Sequence, residues 1–334
     1  MSSENSLKLL WIWIKKLFER CPKKKIAKKQ TDLFIVCGHR GSPTKEIENT
    51  IPSFDLAIKE GANSIETDLC ITKDKIVVLW HDWNPNDTVA LLREKELEPD
   101  VKYKPLFPDH FSDYRKEISK LTLSEFLQNY HYIEKESSIP ENIEISTLKD
   151  FFEWAVKKEE LQQIFFDLKV PSSNTELSID LMQEVKKLAD QFKPKFKIII
   201  ETYSTKILLP LKEKFPGFSY SLDVELPPGI VLLPRKYSGV KKALKYLNDI
   251  AIILRPRFTT IANWVTFRRL INFEVKKQRR CNRKYPDKQV KYIVGGTINR
   301  ESEIDCLIKL GIDGIQTDYP ARLYALVKQY NLKS

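Results

Sequence analysis

A chain of 334 residues with 42% apolar content and only ten glycines can bury a sizeable core, which excludes a disordered or collagen-like polypeptide. Its formal charge of +11 is unevenly placed: residues 1–30 carry nine Lys/Arg against Glu4 and Glu19, and residues 268–291 carry ten against Glu274 and Asp287. Two basic segments on a mildly acidic remainder point to an anionic partner, either a membrane surface or nucleic acid.

The first element in chain order lies in "SLKLLWIWIKKLFERCPKKKIAKK", where the uninterrupted apolar run Leu9–Ile14 is too short to cross a bilayer. No small-residue cleavage site follows it, so it does not read as a secretory signal. Leu7, Leu10, Trp11, Ile14 and Phe18 recur at helical spacing ahead of a polybasic tail. This pattern predicts an N-terminal amphipathic helix within the basic segment 1–30, lying on a membrane surface, packed on the body of the protein, or serving as a targeting or anchor signal. From residue 31 to 334 the chain reads as one domain. Strands are expected at 33–38, 64–68, 75–80, 163–168, 196–201, 218–224, 250–254, 290–295 and 313–317, from short β-branched or aromatic runs. Helices are expected at 50–60, 123–131, 147–158, 176–190, 205–214, 239–247, 263–279, 301–310 and 320–329. Their alternation favours an α/β fold of the (β/α)8 TIM-type barrel kind over a doubly wound sheet. Nine strands are one too many for that barrel. The turn "ITKDK" is too short for a parallel crossover, so the second and third strands form a hairpin or an irregular piece of the barrel. Residues 84–120 hold several prolines and little periodicity, and read as a small insertion capping the rim.

Five cysteines, an odd number with no Cys-x-x-Cys pair, argue against a disulfide framework and a zinc site. They favour a reducing compartment and a cytoplasmic protein, peripheral at the membrane where the N-terminal segment reaches it.

Polar residues then collect at strand exits. In "SIETDL", Glu66 and Asp68 are two apart on a strand and project from one face. "VVLWHD" places His81 and Asp82 at a strand end, and "IFFDLK" does the same for Asp167 and Lys169. The first strand runs into "GHRG", with His39 and Arg40 between two glycines. In a barrel these ends meet at the C-terminal rim, where active sites sit. Glu66, Asp68 and Asp167 form an all-oxygen set that suits Mg2+ or Ca2+ better than zinc. Two histidines supply an acid and a base, and Arg40 and Lys169 an anion clamp. His110 and His131 lack such company and read as surface or packing residues.

The succession "GHRG", "ENTIPSFDLAIKEGANSIETDLCITKDKIVVLWHD", "FDLK" and "GTIN…LGIDGIQTDYP" resembles the glycerophosphodiester phosphodiesterases, within the phosphatidylinositol-phospholipase-C-like barrels. The match is dense over residues 35–82 and looser at 121–170 and 290–320. The resemblance implies catalytic His39 and His81, phosphate-binding Arg40 with Lys169 nearby, and the metal ligands Glu66, Asp68 and Asp167. Glu48 matches the family's Glu-Asn-Thr stretch and is expected to support the loop of the first strand. The implied reaction is metal-dependent hydrolysis of a glycerophosphodiester or lysophospholipid, releasing an alcohol head group and a glycerol phosphate. Head-group cleavage of the phospholipase-D or lyase type, giving a cyclic phosphate, and a non-catalytic barrel that binds membrane or nucleic acid are the alternatives. Three departures from the family pattern stand out. Asp167 replaces a common Glu, Gly295-Gly296 replaces an aromatic that walls the pocket, and the stretch after His81 lacks a Gly-rich, Arg-containing continuation apart from "LLRE" at 91–94. The open wall at Gly295-Gly296 leads to the expectation that acylated glycerol is tolerated.

Overall fold

The computed structural model describes residues 21–22, 33–96, 98, 100–135, 137, 145–225, 238–241, 250–255, 261–286 and 289–334. The amphipathic helix expected within residues 1–30 and most of the helix expected at 239–247 lie outside the described residues.

Eleven strands are described: β1 (Ile35–His39), β2 (Ser64–Ile71), β3 (Val77–Leu79), β4 (Tyr103–Leu106), β5 (His131–Glu134), β6 (Gln163–Leu168), β7 (Lys197–Thr202), β8 (Ser219–Glu225), β9 (Ile250–Arg255), β10 (Val290–Gly295) and β11 (Gly314–Thr317). β2 and β6 to β11 pair in parallel succession, and β1 pairs in parallel with both β2 and β11, so eight strands close on themselves in an α/β fold of the TIM type. β3 is the ninth predicted strand. It pairs antiparallel with β2, Leu69 opposite Leu79, the hairpin that the short "ITKDK" turn requires.

Alternation along the strands divides the core into two layers. Ile35, Cys37, Phe165, Ile199 and Val294 pack together inside the barrel, while Phe34, Val36, Ile164, Phe166 and their neighbours pack outward under the helices. The interior set is small, as expected where eight strands converge on one axis.

Helices cover the outside, and local chemistry fixes their ends. Thr147 and Asp150 form a reciprocal capping box that starts the helix Leu148–Ala155, and Asn174 caps Thr175–Phe192. Pro52 sits in the first turn of Ile51–Lys59. Long basic helix Ile261–Lys284 precedes β10, and helix Glu301–Leu310 precedes β11. No helix among the described residues is long and apolar enough to cross a membrane.

Between β3 and the helix Leu123–Asn129, residues 84–120 contain a short helix, Thr88–Glu94, a 3-10 turn, Ile118–Lys120, and β4, which pairs antiparallel with β5. Trp80 anchors this region in an aromatic cluster with Phe107, Phe126, Tyr130 and Tyr132.

One finding corrects the cysteine reading. Cys21 is joined by a disulfide to Cys306 on helix Glu301–Leu310, across a sequence separation of 285, while Cys37 and Cys70 are buried thiols and Cys281 a half-buried one. The fold brings these two residues together, and no local spacing announces it.

Candidate active site

Strand register assembles the site before any side chain is considered. His39 continues the inward-facing series Ile35, Cys37, and Asp167 continues that of Phe165. His39 lies opposite Glu66 across β1 and β2, and Asp68 lies opposite Asp167 across β2 and β6. All four therefore share the interior face at the C-terminal end of the barrel.

The two glycines around His39-Arg40 are dictated by a tight turn at this end. A Cβ on Gly38 would lie 2.6 Å from the carbonyl oxygen of Gly41, and one on Gly41, at φ +94, would lie 2.3 Å from Ser53 Oγ. Arg40 adopts a left-handed conformation, φ 54, unusual for a residue with a side chain. In this conformation its amide N–H donates both to the Glu66 carbonyl and to Glu66 Oε2, each at 3.0 Å. The strained residue thus ties the first strand's loop to the carboxylate cluster.

Each histidine is oriented by a carboxylate. His39 Nδ1 lies 2.7 Å from Asp318 Oδ1, leaving Nε2 facing Glu66 Oε2 at 3.8 Å. Asp318 is itself held: Asn299 Nδ2 donates to its Oδ2 at 2.6 Å, and Asn299 Oδ1 accepts from its amide at 2.9 Å. His81 Nδ1 lies 2.8 Å from Asp82 Oδ1, and Asp82 Oδ2 accepts from Arg93. Burial, reinforced by the cations Arg40, Lys169 and Arg93, pushes the His81 pKa below the ordinary histidine value, favouring the neutral ring.

Glu66, Asp68 and Asp167 each offer an oxygen within 4.8 Å of the others, all three buried. Glu66 Oε1 is buried without a hydrogen-bond partner, an arrangement that costs free energy unless a cation is bound there. Burial and the Asp68 carboxylate push the Glu66 pKa upward. Asp68 is driven the other way: burial opposes its ionisation, but Lys169 and Arg40 hold it well below the usual carboxylate range. Asn49 Nδ2 also donates to Asp68 Oδ2 at 2.8 Å, and Asn49 Oδ1 accepts from the Asp68 amide and Thr67 Oγ1. The donor set and its orphaned oxygen fit a hard divalent cation.

Arg40 and Lys169 are both paired with these carboxylates. Arg40 Nε lies 2.9 Å from Asp68, and Lys169 Nζ lies 2.6 Å from Asp167 and 2.9 Å from Asp68. Glu48 lies outside the three-carboxylate group. It accepts from Arg40 at 2.7 Å and also from Arg93 and Tyr132, so it braces the loop.

The structure therefore brings all seven predicted residues to one place. His39, Arg40, His81, Asp167 and Lys169 line a cavity of about 380 Å³ whose outer wall includes Trp83, Val89 and Tyr203. His131 is half-buried against the Gln128 carbonyl, and His110 is exposed; neither lines this cavity. Sequence reasoning missed Asp318, Asn299, Asn49 and Arg93 as site residues. Asp318 follows β11 and obeys the same strand-exit logic that found Asp167. Arg93 sits in a short helix of an aperiodic segment, and nothing marks it beyond its place in "LLRE".

The expected open wall at Gly295-Gly296 does not exist. A Cβ on Gly295 would meet Ile312 and Leu307 in the outer layer, and one on Gly296 would fall 2.4 Å from Gln316 Oε1 inside the barrel. Gln316, which donates to Glu201 at 3.1 Å, already fills that position.

Comparison with known proteins agrees with this geometry. Residues 39–227, more than half of the chain, match the glycerophosphoryl diester phosphodiesterase family. A human protein, lysophospholipase D GDPD1, is 26% identical over 313 residues, covering 89% of this chain and 87% of its own. An uncharacterised Bacillus subtilis protein, YqiK, is 24% identical over 88% of this chain and 98% of its own. Among solved structures, a phosphodiesterase of Oleispira antarctica in complex with the product sn-glycerol-3-phosphate superposes with a TM-score of 0.58 at 20% identity. That alignment covers 89% of this chain and 97% of the other.

Proposed function

Given that the chain belongs to the glycerophosphoryl diester phosphodiesterase family and is a phosphodiesterase acting on glycerophosphodiesters or lysophospholipids, we propose that His39 and His81 are its acid–base pair and that the reaction depends on a divalent metal. The observation that carries this reading is the buried cluster Glu66, Asp68 and Asp167, with one orphaned oxygen, set between two carboxylate-oriented histidines.

A Mg2+ or Ca2+ ion held by Glu66, Asp68 and Asp167 would supply charge neutralisation at the phosphoryl oxygens. The protein's own groups do the rest. One histidine takes the proton of the attacking hydroxyl, either the neighbouring glycerol hydroxyl or water. As the new O–P bond forms, the bond to the head-group oxygen breaks and the second histidine protonates the departing alkoxide. His81, held neutral, is the acceptor in this scheme; His39, backed by Asp318, is the donor. Arg40 and Lys169 line the same cavity, where their charges stabilise a dianionic transition state. When the glycerol hydroxyl attacks, the product is a cyclic phosphate that water then opens, with the two histidines exchanging roles.

A specific observation favours a lysophospholipid substrate. Trp83, Val89 and Ala90 form an apolar wall on the cavity, with Val89 55% exposed at its mouth. Such a wall accommodates an alkyl chain and does little for a deacylated diester.

Head-group release from glycerophosphodiester and lysophospholipid, measured with and without chelator, tests the reading. Chelation should stop turnover, Mg2+ or Ca2+ should restore it better than Zn2+, and His39→Ala and His81→Ala should each lower kcat by roughly 10² to 10⁴. Full activity in a metal-stripped sample, or in either folded variant, overturns the assignment.

A further inference from the structure

The second basic segment has no part in the catalytic cavity. It forms most of helix Ile261–Lys284, where Phe273, Lys276, Lys277, Arg280, Lys284 and Tyr285 line a groove of about 440 Å³. The groove has an aromatic and apolar base beneath a cationic edge: Lys277 Nζ lies 5.6 Å from the Phe273 ring centre and Lys284 Nζ 5.1 Å from that of Tyr285. Lys276, Arg280, Arg283 and Lys284 pair with no carboxylate among the described residues. Burial and the nearby Lys241 ammonium hold the Lys277 pKa below its ordinary value, a sign of crowded positive charge.

A second observation places residue 21 on the same flank. The cystine Cys21–Cys306 fixes the chain at residue 21 to helix Glu301–Leu310, which packs beside helix Ile261–Lys284. Arg268 on that helix lies 3.9 Å from Cys21 Sγ. Residue 21, which in sequence lies within the first basic stretch, is therefore fixed beside the helix that carries the second.

We infer that the groove face of helix Ile261–Lys284 is a docking surface for an anionic phospholipid bilayer, with lipid phosphates seated among Lys276, Arg280 and Lys284. Unpaired cations over a partly apolar base suit head groups whose phosphates lie just above acyl chains. In sequence, the stretch leading to Cys21 carries Leu10, Trp11, Trp13 and Ile14, residues that gain by entering a bilayer interface and offer nothing to a polynucleotide backbone. The docking surface is separate from the catalytic cavity and stands whether or not the lysophospholipid reading does.

The test uses the full chain and vesicles of phosphatidylcholine with and without phosphatidylserine. Wild type should sediment with the phosphatidylserine vesicles only, and less so as salt rises. Combined Lys276→Glu, Arg280→Glu and Lys284→Glu should weaken that binding by more than about 100-fold, since losing three contributions of about fivefold each gives that much before the new repulsion is counted. Reversing the exposed Lys186 and Lys187 on another helix should leave it unchanged. Hydrolysis of a soluble diester should be the same in all forms, which shows that they fold; a Lys→Gln and Arg→Gln set gives an intermediate loss free of new repulsion. Equal vesicle binding by wild type and the triple variant overturns the inference. So does selective binding of a single-stranded oligonucleotide without vesicle binding.

Discussion

His39 takes its orientation from a carboxylate 279 positions away in sequence, and that carboxylate is fixed in turn by Asn299. An aspartate so placed selects the tautomer of its histidine and stabilises the protonated ring, without itself becoming a proton carrier. Asp318→Asn keeps the shape and one hydrogen bond but reverses the donor pattern. We expect kcat to fall by roughly 10² to 10⁴ with an unchanged circular dichroism melting curve. A variant that retains wild-type kcat would remove Asp318 from the chemistry. The seven residues legible in the sequence were ionisable groups on or just past a strand expected from the sequence; Asp318, in the same kind of place after β11, was missed. Asn49 and Asn299 were illegible for the opposite reason, since neutral amides leave no charge pattern and their value lies wholly in which hydrogen bonds they complete.

At the scale of elements, the nine strands read from alternation fall where the structure has strands, because a β-branched run bounded by turns has few other ways to be buried. Helix Thr88–Glu94 and the β4–β5 pair were not legible: each is short and held by contacts with the rest of the fold instead of by its own periodicity. That small helix delivers one residue of consequence. Buried Arg93 donates to Asp82 and Glu48 and lies 2.7 Å from Glu98, so it links the carboxylate behind His81 to the carboxylate behind Arg40. Its attraction to Asp82, Glu48 and Glu98 outweighs burial and keeps its pKa well above the usual value. Arg93→Ala would take a cation from the buried Asp82 and Glu48 and the half-buried Glu98, leaving Asp82 to His81 and both glutamates to Arg40. Breaking a buried pair costs about 3–5 kcal/mol, and a urea titration should show a loss of that size. Arg93→Lys, which keeps the charge and loses the fork, should recover part of the stability and less of the activity.

For the molecule as a whole, the cystine Cys21–Cys306 closes a loop spanning nearly the entire chain. Chain-entropy arguments assign such a loop a stabilisation of up to about 5 kcal/mol through its restriction of the unfolded state. Cys21→Ser should therefore lower the Tm in the absence of reductant, and adding reductant should bring wild type down to the variant. The cystine also bears on the compartment. Disulfides persist where thiols are oxidised, whereas a reducing compartment would leave all five cysteines free. Alkylation in denaturant of protein taken directly from its cell, followed by mass spectrometry, should label three cysteines before reduction and five after.

The bond between His39 and Asp318 also orders events in time. During synthesis, β1, β2 and β6 emerge well before β11; β2 and β6 carry Glu66, Asp68 and Asp167, and Lys169 follows β6 directly. The partner that directs His39 lies just past β11, the last strand to be made, and β1 keeps an unpaired edge until β11 arrives to close the ring. The strands that bear the three carboxylates are therefore made well before Asp318, which orients His39. Barrel closure, which depends on contacts distant in sequence, is the step that brings Asp318 to His39.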